Sequence, residues 1–402
     1  MTATPTTLFP VTTVGSLVLS PELLAGLRKY EAGEIREEEF TRLADAGVLE
    51  WLRIQDEAGV DIVTDGEQRR NNFFAFVAEK LDGVQMMSVA QMAEHMPDPS
   101  GYMSMASSVD VVPEETKNPI VFDKIRLKGD GLAVDEARFL IQHTGKPIKV
   151  PLPGPYHLHR SGWFEAVSKD AYPTREEFVG DIVRIMREEL IKLRDLGVAF
   201  VQFDEPTLSD VAYGEEAEEK FMCAALGSKA RPEYELSLAR DLINEVVRGI
   251  DGIHTGVHVC RGNWTRREDY FLEGNYGPLL PYLTQMNVDQ LVLEMATPRA
   301  GEADVFKEYA NEREIGLGVV NQRSDDVEEP TAIVERTKEF LKYFDPDKIY
   351  LNPDCGFGTF AARNLNTRET GAAKLKSIAE AAALLRQEHG ASRQEAIATA
   401  KS

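Results

Sequence analysis

The chain is poor in cysteine and histidine, with three and seven in 402 residues. Three thiols are too few for a disulfide framework, so a reducing compartment is expected, where thiols stay free to bind metal. No apolar run approaches the ~20 residues that a membrane span needs. The opening "MTATPTTLFPVTTVGS" has no basic region followed by an apolar stretch, so no secretory signal is expected. Positive charge is also scarce: the formal net charge is −22, which argues against a nucleic-acid partner and against anionic membrane surfaces. A cytoplasmic protein is expected by elimination, acting on a small molecule. Nothing in the sequence fixes an oligomeric state. There is no internal repeat and no low-complexity linker. Residues 1–402 therefore read as one catalytic domain with frayed ends at 1–8 and 391–402.

What is present is an alternation of short β-like runs with helix-period segments. The runs are 11–17, 61–67, 147–156, 198–206, 254–262, 288–296, 315–323 and 349–357. Residues 175–197, 235–250 and 371–390 carry apolar side chains at three- and four-residue steps, the pattern of helices with one buried face. Eight strands alternating with helices predict a (β/α)8 TIM barrel, with a doubly wound open sheet as the rival. Residues 82–130, rich in methionine, break the rhythm after the second strand. They read as an excursion packed on the barrel, or as an apolar lid. Cys223 falls on a helical stretch and reads as packing.

Barrel enzymes carry their chemistry at the C-terminal ends of the strands, and here those ends are rich in polar groups. "VHVCRGNW" (257–264) places His258 and Cys260 two apart, so on a strand both side chains point the same way. Glu294 ends the sixth run and Cys355 the eighth. One imidazole, two thiolates and a carboxylate form a tetrahedral zinc set, and sulfur ligands favour zinc over magnesium or calcium. The competing reading is a buried histidine and two structural thiols. Zinc held by two thiolates is suited to binding an incoming thiol and keeping it ionised at neutral pH. The reaction class is then S-alkyl transfer.

The stretches "TTVGS", "DGEQRRN", "QFDEPTL", "HVC", "LVLEMA", "GLGVV" and "NPDCGF" occur in this order over nearly the whole chain. In them the chain resembles the catalytic barrel of the cobalamin-independent methionine synthase family, in a short, single-barrel form. The resemblance implies that His258, Cys260, Glu294 and Cys355 bind zinc. It implies that Val14, Gly15 and Ser16 receive the carboxylate of an amino-acid substrate, while Glu67 and Asp204 hold its ammonium group. The substrate would be homocysteine, methylated to methionine by a methylfolate or a methyl-corrinoid protein.

One departure stands out. Where the family carries a His-Ser pair after the seventh strand, this chain reads Arg323-Ser324 in "VVNQRSDD". Arginine stays protonated and is a poor proton shuttle but a good anion clamp. His157, His159 and Trp163, in the loop after the third run, are expected to face the donor, or else to form a proline-stiffened loop with solvated histidines. A second reading is a thiol alkyltransferase like the epoxyalkane:coenzyme M transferases, with Arg323 on the sulfonate. Retention of Glu67 and Asp204 favours an amino-acid thiol. A third is a zinc- or substrate-binding barrel without turnover.

Overall fold

The structure is a computed structural model that describes residues 7–108, 111–114, 116–213, 231–361 and 363–390. Six parallel strands run in sequential order: β3 (Lys149–Pro153), β4 (Phe200–Asp204), β5 (His254–Val259), β6 (Gln290–Leu293), β7 (Glu314–Val320) and β8 (Ile349–Pro353). Two shorter segments fill the gap between β8 and β3. Val11 bridges to Leu351, Thr12 to Ile62, and Val63 to Ile148, each in parallel. These bridges close the circle, and the fold is the expected (β/α)8 barrel.

The first two barrel positions are thus two-residue contacts and not the full runs expected at 11–17 and 61–67. The reason lies just beyond them. Gly66 and Glu67 both have positive φ, so the second segment turns sharply after Thr64. The turn is locked to the first segment by Leu17 N–H donating to Gly66 O at 2.9 Å and Thr64 Oγ1 donating to Gly15 O at 3.1 Å.

The expected helices form, the first within a residue of its expected bounds and the other two starting three residues earlier than expected, at a proline and at a threonine cap. Arg175–Leu196 starts at the cap Thr174 and stops at left-handed Gly197. Pro232–Val247 has proline in its first turn, and Arg368–His389 is capped by the Thr367 hydroxyl. Their apolar faces join the outward faces of the strands in one large core that includes Leu152, Val201, Leu291 and Leu351. None of the described helices is long and apolar enough to cross a membrane.

The excursion after the second barrel position is an antiparallel hairpin of β1 (Leu81–Ser88) and β2 (Lys117–Leu127), with short helices between. Met87 and Met92 are buried against Ile120, beside Phe164 and Val167. The Ser168 hydroxyl donates to Val121 O at 2.6 Å, and Ile125 N–H donates to the Tyr172 hydroxyl at 2.9 Å. These contacts pack the hairpin against the segment that holds Phe164, Val167, Ser168 and Tyr172. Leu8, expected to lie in a frayed amino terminus, is instead buried, and its carbonyl accepts from Arg386 Nε at 2.7 Å. Cys223, residues 1–6 and 391–402 lie outside the described residues.

Candidate metal centre and substrate pocket

His258, the last residue but one of β5, lies opposite Asp204 of β4, and Cys260 follows at the next same-side position. Cys355 lies just beyond β8. Both thiols are free and buried. The His258, Cys260 and Cys355 ligand atoms all lie within 4.8 Å of one another. His258 Nδ1 meets the Val292 carbonyl at 3.0 Å. Its other nitrogen, Nε2, is buried without a hydrogen-bond partner. A buried imidazole nitrogen left bare beside two thiols fits a soft divalent cation, and the backbone bond to Nδ1 selects the tautomer that ligation needs. The Cys355 thiol, followed by His258, draws the Cys260 pKa down to about 5. The chain turns away at once: Gly262 has φ +112°, and a Cβ there would stand 2.3 Å from the Trp264 ring.

One pocket gathers most of the residues singled out from sequence. Its walls include Val14, Ser16, Glu67, Asp204, His258, Cys260 and Cys355, with Phe73, Trp264 and Phe360 as aromatic sides. Glu67 lies close to the first turn: a Cβ on Gly15 would stand 2.3 Å from its Oε1 and 2.9 Å from the Pro151 ring, so a side chain there would displace the carboxylate. Burial raises the Glu67 pKa to about 8, against a lowering by Arg70. Burial also raises Asp204 to about 6, against the charge of His258 and a hydrogen bond from Gln202. Gln202 Nε2 donates to Asp204 Oδ1 at 2.7 Å and to Val14 O at 2.9 Å, while its Oε1 accepts from buried Lys149 at 2.9 Å. This chain of contacts aims Asp204 at the pocket and ties it to the Val14 turn.

Glu294 does not join the metal-ligating group. It is fully buried after β6, and its Oε1 accepts from Arg299 at 2.6 Å and from Arg323 at 2.7 Å. Its Oε2 accepts from the Arg261 backbone N–H at 3.1 Å. Burial opposes its ionisation, but Arg323 and Arg299 outweigh it and hold the pKa near 2. The expectation that Arg323 clamps an outside anion is corrected by the same contacts. Its guanidinium is buried between Glu294, the Gly262 carbonyl at 3.1 Å and Glu268 at 3.2 Å. It also stacks 4.5 Å from the centre of the Phe271 ring.

His157, His159 and Trp163 are also placed differently from the expectation. β3 passes directly into the helix Pro155–Gly162, every residue of which is buried. The cause is Glu205 from the neighbouring strand, which accepts from the Tyr156 and His157 backbone N–H groups at 2.8 Å each and satisfies the orphan donors of the helix start. His157 packs behind Phe73 and Phe74, and burial pushes it and His159 down to about 3. Trp163 donates to Tyr172 O at 3.0 Å. None of the three lines the pocket, and neither histidine is solvated. Sequence reasoning missed Arg299, Glu268 and Phe271. It also missed Asn263, which donates to Gly356 O at 2.8 Å and accepts from Gln322 at 2.6 Å, so tying the ends of β5, β7 and β8 together.

The fold and the sulfur-bearing mouth define a class, a (β/α)8-barrel enzyme with a candidate metal centre at the strand ends. The family follows from comparison. Residues 9–383 match the model of the cobalamin-independent synthase catalytic domain, and the chain belongs to that family. It is 28% identical over 381 residues to a methionine synthase of Pyrococcus horikoshii, covering 95% of this chain and 94% of that one. Identity to a methionine synthase of Sulfolobus acidocaldarius is 26% over 385 residues, covering 95% and 94%. Among solved structures, a B12-independent methionine synthase from Shewanella sp. W3-18-1 in complex with selenomethionine superposes with a TM-score of 0.70. Its identity is 22%, and 95% of this chain and 98% of that one are covered.

Proposed function

We propose that the chain is a zinc-dependent methyltransferase, acting as one catalytic domain, that methylates the thiol of homocysteine to methionine. The observation that carries this reading is the convergence of His258, Cys260 and Cys355 in one pocket with two carboxylates that no side-chain cation pairs among the described residues. A zinc ion held by the three residues would lower the pKa of the substrate thiol and keep it ionised at neutral pH. Asp204 and Glu67 take the substrate ammonium, and the Val14–Ser16 turn takes its carboxylate. Phe73, Trp264 and Phe360 exclude water from the sulfur. Sulfur then bonds to the donor's methyl carbon as the methyl–nitrogen or methyl–cobalt bond breaks, its electron pair staying with the donor.

The donor is a methylfolate or a methyl-corrinoid protein, and Arg323 favours the second. A folate nitrogen must be protonated as it leaves, whereas a cobalt leaving group keeps its electron pair without a proton. The residue at the family's histidine position is a guanidinium engaged inside the protein. The same engagement speaks against a sulfonate on Arg323, as an epoxide-opening enzyme would need. A groove of about 630 Å³, bordered by Arg28, Met86, Lys117 and Phe360, shares Phe360 with the thiol pocket and is our candidate for the donor's approach.

The test is metal analysis followed by X-ray absorption with and without homocysteine. One zinc per chain, and one further sulfur neighbour on adding homocysteine, are expected. No metal, or an unchanged sulfur count, would sink the reading and leave a non-catalytic barrel. Separate assays with methylcobalamin, methylfolate, and an epoxide with coenzyme M sort the donors.

A further inference from the structure

Beneath the pocket, the barrel interior holds a lysine paired to no carboxylate among the described residues. Lys149 opens β3 and is fully buried. It lies opposite Phe200 of β4, and Gln202 and Asp204 follow Phe200 at two-residue steps, so these three side chains share the inward face. Gly256 of β5 leaves room for the Phe200 ring, since a Cβ there would stand 2.8 Å from it. The Lys149 Nζ lies 5.2 Å from the centre of that ring and donates to Gln202 Oε1 at 2.9 Å. Gln202 Nε2 in turn donates to Asp204 Oδ1 at 2.7 Å and to Val14 O at 2.9 Å. An amide has the same shape with its oxygen and nitrogen exchanged, so its neighbours decide which way it sits. Here the flipped amide would set its oxygen against two other oxygens and its NH2 group against the lysine N–H. A lysine N–H donates in either charge state, so Lys149 selects one orientation, with both amide protons turned to Asp204 and Val14. The two acceptors do not depend on it equally. The Val14 turn has further ties, from Thr64 Oγ1 to Gly15 O at 3.1 Å and from Leu17 N–H to Gly66 O at 2.9 Å. The Asp204 carboxylate has no other hydrogen bond among the described residues.

Resting on the amino-acid-thiol reading above, we propose that Lys149 is a positioning residue for the substrate amine. It locks the Gln202 amide, which holds Asp204 Oδ1 and leaves the other carboxylate oxygen to the ammonium group. Lys149 itself never meets the substrate. What it supplies is preorganisation: a carboxylate already held in place loses less freedom when its cation arrives. Keeping an amine desolvated in a barrel interior is unfavourable for the fold, and a binding site that needs its partner oriented is a reason to retain it.

Calorimetric binding of methionine, and of 4-(methylthio)butyrate, which is methionine without its amino group, tests the proposal at a single pH. K149M keeps a side chain of similar length over Phe200 and removes the donor. Methionine is expected to bind about 10-fold more weakly to it, while the amine-free analogue moves by less than about 2-fold. The urea midpoint should stay where it is or rise, because a desolvated amine has gone. A lysine that merely supported the barrel would lower the midpoint and weaken both ligands alike, and that result overturns the inference. Q202E keeps an acceptor for Lys149 but has no proton for Asp204. It should weaken methionine at least about 10-fold, and it decides the matter if K149M fails to fold. Adding K149M to Q202L should weaken methionine no further than Q202L alone, since the lysine acts only through the amide. Additive losses would break that link and overturn the inference. Natural affinity for methionine in K149M and Q202E overturns this inference alone. Failure of the natural protein to bind methionine overturns the proposed function, and this inference with it.

Discussion

Two sets of buried carboxylates face each other across the same barrel mouth, and they are furnished in opposite ways. Glu67 and Asp204 line the pocket with no guanidinium or ammonium paired to either among the described residues. The guanidinium nearest Glu67 in charge, that of Arg70, is turned to Glu136 at 2.6 Å and to Pro151 O at 2.9 Å. Glu294 is held by two guanidiniums on one oxygen. Burial therefore drives the first pair toward protonation, to about 8 and 6, while its partners hold Glu294 near 2. A carboxylate left in want of a cation is a binding group for something outside the protein. One already satisfied from within positions its neighbours.

The largest effect is expected where the two sides meet. Cys260→Ala and Cys355→Ala each remove a donor from the metal group and should lower methyl transfer roughly a thousandfold, ~4 kcal/mol in the barrier. Zinc content should fall with it, while the far-ultraviolet circular dichroism stays that of the natural protein. Unfolding of both variants would instead make the site a structural clamp.

Next in size is the effect on stability, where the two sides should part company. Glu294→Gln leaves two buried guanidiniums without their anion, at a cost of about 3–5 kcal/mol in urea unfolding at pH 7. Glu67→Gln should change stability by less than ~1 kcal/mol at pH 5, because the natural side chain is protonated there. The pH dependences have opposite signs. Glu294, lowered on folding, adds stability above its unfolded value, and this is lost as pH falls toward 2. Glu67, raised to about 8, is stabilising in its protonated form, and that contribution is lost as pH rises from about 4.5 to 8. The advantage of Glu67→Gln over the natural protein should therefore grow with pH. Equal behaviour of the two variants would dissolve the distinction between the two sides.

This contrast also marks what was legible in the sequence. The spacing of His258 and Cys260 is local, and the two-residue period of a strand is enough to put them on one side. The barrel itself follows from repeated alternation, a signal renewed eight times along the chain. Glu294 falls at a strand end, where the sequence pattern puts it. Its partners are not foreseeable, because Arg323 lies 29 residues away and Arg299 sits in a single 3-10 turn too short to show a periodic pattern. His157 and His159 were misplaced for a similar reason. The carboxyl group that accepts from the start of their helix, that of Glu205, lies just beyond a different strand 48 or more residues on. Local period reveals which face a residue takes. It does not reveal which distant charge has already claimed it.

On the substrate side, Asp204→Asn should raise the KM for homocysteine about 100-fold, near 3 kcal/mol, with zinc content unchanged. The comparison is sharpened by 4-mercaptobutyrate, a thiol acid without the amino group. Its already poor KM should move by less than ~3-fold, since the lost partner is one it never had. Equal losses for both thiols would place Asp204 among the supports of the metal site and not among the amine-binding groups.

The smallest effect isolates Glu67 from the metal chemistry altogether. Methionine carries the ammonium and carboxylate of the substrate but no ionisable thiol, so its binding reports on the amine side alone. In the free pocket Glu67 titrates near 8 and is mostly protonated at pH 7. A bound ammonium favours the carboxylate, so a proton must leave when methionine enters. Calorimetry at pH 7 in phosphate and in Tris should accordingly show about one proton released per methionine. The apparent affinity should rise by up to ~10-fold per pH unit between 6 and 8 and level off above that. In Glu67→Gln the proton release and the pH slope should both vanish, while Asp204 still supports weaker binding. A slope that survives the substitution would move the titrating group elsewhere. The free carboxylate at Glu67 would then be a feature of the fold and no part of recognition.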